Sequence, residues 1–168
     1  ASMRIEAFVD DLSNWYVRRS RRRFWKGELD ADKRAAYATL YEVLITLTRI
    51  LAPFAPHVAD AMWQNLVVAV DPAAQPDSVH LSDFPTARGR ADSVTDGSMA
   101  LARRVVGLGR TARAASEVRT RQPLGRLRVR LPASAGGALA VDPGVAAELE
   151  AHVRDELNVK ELELIIDD

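Results

Sequence analysis

Apolar residues recur at three- and four-residue spacing near the start of the chain: Ile5, Phe8, Val9, Leu12, Trp15 and Tyr16. Steps of about 100° per residue gather them onto one stripe, which predicts an amphipathic helix. The same steps set Arg19 and Arg23 on that stripe, Arg22 at its edge, and Arg18 and Arg21 on the other side. Gly27 ends the helix, because glycine accepts the left-handed backbone that follows a last turn. Asp30 is suited to cap a second helix over Ala31–Leu51, with a core face of Tyr37, Leu40, Tyr41, Leu44, Leu47 and Leu51. Pro53 and Pro56 forbid its continuation, and Pro56 fits the first position of a third helix. That helix carries Val58, Met62, Trp63 and Leu66 and fades near Val70. Three helices with short connections predict a bundle.

Residues 71–90 read as a loop rich in Pro, Asp and Ser, interrupted by "SVHLSDFP". A fourth helix is predicted over 95–118, with Met99, Ala102, Val105, Val106 and Leu108 as its apolar side and Gly107 and Gly109 weakening its middle. The period then falls from helical to two. "LRVRL" over 127–131 alternates as a half-buried strand, "PASAGG" turns, 145–157 is helical, and "VKELELII" alternates again. The fold expected is mainly α: a helical bundle over 1–118 and a small C-terminal β-α-β appendage over 119–168.

Composition changes this picture little. Across 168 residues, 48% are hydrophobic and 27% charged, with 23 basic against 23 acidic side chains. A basic surface is therefore a matter of local distribution, which is what steers a polyanion. The absence of cysteine removes disulfides and thiolate metal sites. The apolar run around Val43 to Leu47 is interrupted by Glu42, Thr46, Thr48 and Arg49, so no membrane span is predicted. The first residues lack the layout of a signal peptide, and a cytoplasmic location is expected. A helical pattern already running at Ile5 suggests that the chain continues upstream.

Catalytic signatures are missing. "GLGRTA" over 107–112 has one GxG, no third glycine, and lies within a predicted helix. His57, His80 and His152 are scattered, and His57 with Asp60 offers only two ligands on one helical face. No catalytic group, metal site or cofactor is assigned to this chain.

The concentrated chemistry lies in "LSNWYVRRSRRRFWKG", Leu12 to Gly27. Arg18, Arg19, Arg21, Arg22, Arg23 and Lys26 stand there beside Trp15, Tyr16, Phe24 and Trp25, with no carboxylate among them. The cations could pair with Glu28, Asp30 and Asp32, meet an acidic protein face, or grip phosphate, which guanidinium holds through two parallel hydrogen bonds. Arginine in place of lysine favours phosphate over general solubilisation. Trp15 and Tyr16 belong to the apolar stripe and are expected in the core, whereas Trp25 could stack on a base or ribose. A second basic group, Arg110, Arg113, Arg119 and Arg121, closes the fourth helix, and Arg126, Arg128 and Arg130 share one face of the first strand. That strand face reads as solvated.

These blocks also carry a resemblance. "FVDDLSNWYVRRSRRRFW" (8–25) is similar to the start of the anticodon-binding region of isoleucyl-tRNA synthetases, and "LAPFAPHVADAMWQNL" (51–66) resembles the next landmark of class I synthetases for branched aliphatic amino acids. "SVHLSDFP" (78–85), "VRTRQPLGRLRV" (118–129) and "DELNVKELEL" (155–164) follow in the family's order, so the likeness runs over nearly the whole chain. "NWYVRR" and "ELNVKE" lean to isoleucine over valine and leucine.

The resemblance implies a helical bundle of the class I anticodon-binding type that contacts isoleucine tRNA and packs below the catalytic domain of the same polypeptide. The family's two ATP-binding motifs, its editing domain and its zinc-binding cysteines have no counterpart here. ATP and magnesium are therefore expected in the parent enzyme and not in this chain. The residues then expected to face RNA are Arg18, Arg19, Arg21, Arg22, Arg23, Trp25, Lys26, Arg119 and Arg121, and the resemblance leaves Arg126, Arg128 and Arg130 equally open to RNA or to solvent. The rival expectation is an independent helical adaptor that binds an acidic protein partner.

Overall fold

A computed structural model describes residues 2–25, 27–71, 73, 76–87, 89, 92–131 and 143–166. The chain divides into two compact units, Ala1–Ala87 and Arg88–Asp168. The regular elements described in the first are all helices. Helix α1 (Ser2–Asp11) passes through a π-helical segment (Leu12–Val17) into α2 (Arg18–Trp25). Gly27, at φ 79°, takes the left-handed turn expected of it. Helix α3 (Ala31–Leu51) begins at Asp30, whose carboxylate accepts from the Lys33 amide at 2.7 Å. Helix α4 (Pro56–Trp63) opens on its proline and runs into a second π-helical segment (Gln64–Val68).

Ala59, Trp63, Val67 and Val79 form the buried cluster of this unit, with Ile45, Leu51 and Leu66 packed against it. Trp63 is fully buried, so its indole N–H needs an acceptor and finds the Pro76 carbonyl at 2.9 Å. Asp60 accepts from the Ser78 hydroxyl at 2.6 Å and the Val79 amide at 3.2 Å, fixing the short 3₁₀ turn Val79–Leu81 within "SVHLSDFP". These two hydrogen bonds hold the Asp60 carboxyl below its ordinary pKa, with His80 and His57 adding to the effect.

Several residues expected in the core of this unit stand elsewhere. Trp15 and Tyr16 are half-buried. Tyr37, Tyr41, Val58 and Phe8 are exposed, while the small residues Ala36 and Ala59 and the hydroxyl-bearing Thr48 are fully buried. The tyrosines use their length to reach a carbonyl, Tyr41 at Leu66 (2.9 Å) and Tyr37 at Phe24 (3.4 Å). Thr48 satisfies its hydroxyl on the Leu44 carbonyl one turn back, at 2.8 Å. Ile5 and Phe8 do not close onto α3; with Val43, Leu47 and Ile50 they line an apolar cleft of about 450 Å³. The i→i+5 bonding of the π segment re-phases the helix between Phe8 and Ser20, which a uniform 100° step does not anticipate.

The second unit holds helix α5 (Ser93–Ala115), strand β1 (Leu124–Leu131), helix α6 (Pro143–Leu157) and strand β2 (Val159–Ile166). The strands pair in parallel, with Arg126 opposite Glu161, Arg128 opposite Glu163 and Arg130 opposite Ile165. A parallel pair needs a crossover, which α6 supplies, so the β-α-β reading holds. Its core contains Ala102, Val105, Val106, Leu131, Leu149, Val153, Leu157 and Val159. The "PASAGG" turn lies outside the described residues.

Helix α5, grouped by sequence with the bundle over 1–118, packs on α6, and the compact units divide at 87/88. Gly109 is the reason it can: a Cβ there would lie 2.3 Å from the Leu157 side chain. The glycine that weakened the helix prediction is the one that admits its partner. Leu108, expected on the apolar side, is exposed.

Candidate nucleic-acid interface

One face of α2 is fastened to α3. Tyr16, Ser20, Arg23 and Phe24 follow at i, i+4, i+7 and i+8, the spacing of a single helical face. Tyr16 donates its hydroxyl to the Ala36 carbonyl at 3.2 Å. Ser20 is buried. Phe24 lies against Tyr37 with ring centroids 5.0 Å apart. Arg23 forks onto Asp32, Nε to Oδ2 at 2.8 Å and Nη2 to Oδ1 at 2.6 Å, and Nη2 also reaches the Asp32 carbonyl at 3.2 Å. The hydrogen bond from Arg23 pulls the Asp32 carboxyl below its ordinary value, and Asp32 raises Arg23 in return.

The opposite face carries Arg18, Arg21, Arg22 and Trp25 at i, i+3, i+4 and i+7, all exposed. Trp25 is 80% exposed, and the Arg21 guanidinium lies 5.6 Å from its ring centroid. Arg19 sits between the two faces, half-buried, with its guanidinium 5.2 Å from the Trp15 ring centroid. Of the expected site residues on this helix, Arg18, Arg21, Arg22 and Trp25 thus share one outward stripe. Arg19 packs on Trp15, and Arg23 is engaged in holding α2 to α3. Lys26 lies outside the described residues.

In the second unit Arg119 and Arg121 are exposed, on the loop between α5 and β1. Their neighbours in the sequence-derived basic group behave otherwise. Arg113 is buried, 6% exposed, and donates to three backbone carbonyls. Arg110 pairs with Glu156 at 2.5 Å. Arg126 and Arg128 each donate to a carboxylate across the sheet, to Glu161 and Glu163, both at 2.9 Å. The strand face thus carries paired charge.

Residues that sequence reasoning passed over are Asn158, at φ 49°, and Glu161 and Glu163, which pair with Arg126 and Arg128. The alternation of "VKELELII" contained the signal for the glutamates, but only the parallel register shows which arginine each one meets. Among the described residues no group of three or more His, Asp or Glu could hold a metal ion, and no helix is long and apolar enough to cross a membrane.

Comparison with known proteins identifies a family. A family model described as the anticodon-binding domain of tRNA ligase matches residues 1–131. The chain is 51% identical over 163 residues to an isoleucine–tRNA ligase of Dehalococcoides mccartyi strain 195, covering 96% of this chain and 15% of that protein. It is 48% identical over 159 residues to the isoleucine–tRNA ligase of Streptomyces coelicolor, covering 94% and 14%. The Thermus thermophilus isoleucine–tRNA ligase is 46% identical over 158 residues, again covering 94% and 14%. The chain spans about 15% of the length of the curated relatives it matches.

Proposed function

The chain belongs to the family of anticodon-binding domains of tRNA ligases, and on that premise we propose that it is the part of an isoleucine–tRNA ligase that holds isoleucine tRNA. In this reading it positions the tRNA for aminoacylation by a catalytic domain of the same polypeptide, in the cytoplasm. ATP and magnesium belong to that catalytic portion, and no chemical step is assigned to this chain.

The observation that carries the reading is the outward stripe of α2. Arg18, Arg21 and Arg22 present three guanidinium groups along one helical face that ends in the exposed Trp25. The opposite face is fixed by Tyr16, Arg23 and Phe24, so the cations sit on a rigid support. Guanidinium on phosphate sets register, and an exposed indole offers a stacking surface for an unpaired base. Arg119 and Arg121 add two cations from the second unit. Arg19 and Arg23 act in this reading through their packing.

A salt-titrated binding assay tests it, using isoleucine tRNA and the same tRNA with another anticodon. With roughly four phosphates neutralised, log affinity falls against log salt with a slope of about −3 to −4. Replacing Arg18, Arg21 and Arg22 by Ala flattens that slope by about 1 for each phosphate no longer held, and leaves helicity unchanged. Tighter binding to the native anticodon places base-reading contacts within the 168 residues. Equal binding to both assigns the chain to the RNA backbone alone. Absence of binding at low salt overturns the reading, and binding to an acidic polypeptide instead replaces it with the adaptor.

A further inference from the structure

Three consecutive carbonyl groups in the loop between α5 and β1 accept hydrogen bonds from side chains rooted outside it. Arg113, in the last turn of α5, donates from Nη1 to the Arg119 carbonyl at 3.0 Å. Its Nη2 reaches the carbonyls of Leu157 at 2.6 Å and Asn158 at 3.3 Å. Asn158, between α6 and β2, donates through Nδ2 to the carbonyls of Thr120 at 3.2 Å and Arg121 at 3.0 Å. The Leu124 amide, at the start of β1, closes the ring on the Asn158 carbonyl at 3.0 Å.

The chemistry of each residue suits this work. A buried guanidinium must have its donors met, and backbone carbonyls at the ends of two elements supply the acceptors without adding charge. Asn158 stands at φ 49°, a conformation that asparagine tolerates better than other residues bearing a Cβ. One residue thereby ends α6, starts β2 and turns its amide onto the loop. With its carbonyls drawn inward, the loop leaves the side chains of Arg119 and Arg121 exposed.

We propose that Arg113 and Asn158 are positioning residues that pre-set the loop so that Arg119 and Arg121 meet RNA phosphate without first being ordered. The proposal rests on the RNA-holding function proposed above. Its physical content is pre-organisation: a cation on a fixed backbone loses less conformational freedom on binding than one on a mobile loop.

Asn158→Asp in the 168-residue chain is the test. It keeps the size and backbone tolerance of Asn158, removes both amide donations and sets carboxylate oxygens against two carbonyls. Asn158→Gly is the second variant; it keeps the positive φ and deletes the amide. Circular dichroism and thermal melting establish that each variant is folded. Binding of isoleucine tRNA is then expected to weaken roughly three- to tenfold. The salt slope becomes shallower by about 1, a readout that lost stability alone does not move in a folded protein. On an Arg119→Ala/Arg121→Ala background, Asn158→Asp should add nothing, because the groups it positions are gone. If Arg119→Ala/Arg121→Ala weakens binding while both Asn158 variants bind with wild-type affinity and slope, the positioning role is overturned and the RNA-holding function stands. If Arg119→Ala/Arg121→Ala binds like wild type, the loop has no part in RNA holding and both the loop's role and its positioning fall.

Discussion

Helix α2 and strand β1 each carry three arginines on one face, in different surroundings. On α2, Arg18, Arg21 and Arg22 stand on the face turned away from α3, in a stretch with no carboxylate from Leu12 to Gly27. On β1, Arg126 and Arg128 face Glu161 and Glu163 of the strand alongside, with an N–O distance of 2.9 Å at each pair. Local sequence gives the two regions the same appearance. The difference arises from the neighbour: α3 brings Asp32 to the inner face of α2, and Arg23 takes it. Strand β2 brings glutamates at alternate positions, in register with the arginines. Under the proposed function, the arginine cluster offered to phosphate is the one that the fold turns outward.

Arg113 extends the comparison to its limit, since it is a buried arginine whose work is structural. Arg113→Ala removes the donor from the carbonyls of Arg119, Leu157 and Asn158. The second unit is expected to lose about 3 kcal/mol, the scale of buried acceptors stripped of a charged donor. Replacing exposed Arg22 by Ala should change stability by no more than about 0.5 kcal/mol. Urea unfolding of both variants measures the contrast, and equal midpoints would refute it.

How far this was legible in the sequence depends on the range of the interaction concerned. Helix α3 appears over the predicted Ala31–Leu51, because an Asp30 cap and a periodic face are local features. The outward placing of Arg18 and Arg21 was legible for the same reason: it follows from 100° steps. Strand β1 begins at Leu124, three residues before the predicted 127, since the hydrogen bond from the Leu124 amide to Asn158 extends it. What the sequence hid is set by distant partners. Arg113 looks like its neighbours until Leu157 and Asn158 arrive from 44 and 45 residues away. Gly109 reads as a helix weakness until Leu157 needs the space. Trp15 and Tyr37 read as core because aromatic residues on an apolar stripe usually are, yet each lies at the edge, with Arg19 over Trp15 and Phe24 against Tyr37.

Removing the neutralising partners should make the strand behave like the helix. Glu161→Gln with Glu163→Gln takes from Arg126 and Arg128 the carboxylates they meet across the sheet. Cross-strand charge pairs on an exposed face contribute roughly 0.2–1 kcal/mol each, so the unit stays folded with a modest loss. The salt slope for tRNA should then steepen by about 1–2 as the strand begins to take phosphate. An unchanged slope would mean that the strand face is turned from RNA for reasons other than charge.

The finest effect concerns the carboxylate that Arg23 meets on the inner face of α2. The hydrogen bond from Arg23 holds the Asp32 carboxyl below its ordinary value near 3.8. A carboxyl depressed in the folded state contributes stability that is complete above its unfolded value and fades as pH falls through the folded one. The Arg23–Asp32 contact therefore supports the docking of α2 at neutral pH and weakens only below about pH 4. Asp32→Asn should lower the melting temperature slightly at pH 7, and the difference from wild type should shrink as the pH falls below the ordinary carboxyl value. Asp60, held by the Ser78 hydroxyl, and Asp92, held by the Thr95 hydroxyl, are depressed in the same direction and keep their own acid sensitivity in both proteins. Melting curves of the two proteins from about pH 2 to 7 isolate the Asp32 contribution as their difference. A gap that stays constant down to about pH 2 would show that Asp32 serves α2 through packing and not through its charge, leaving Arg23 closer in kind to Arg22 than its forked contact suggests.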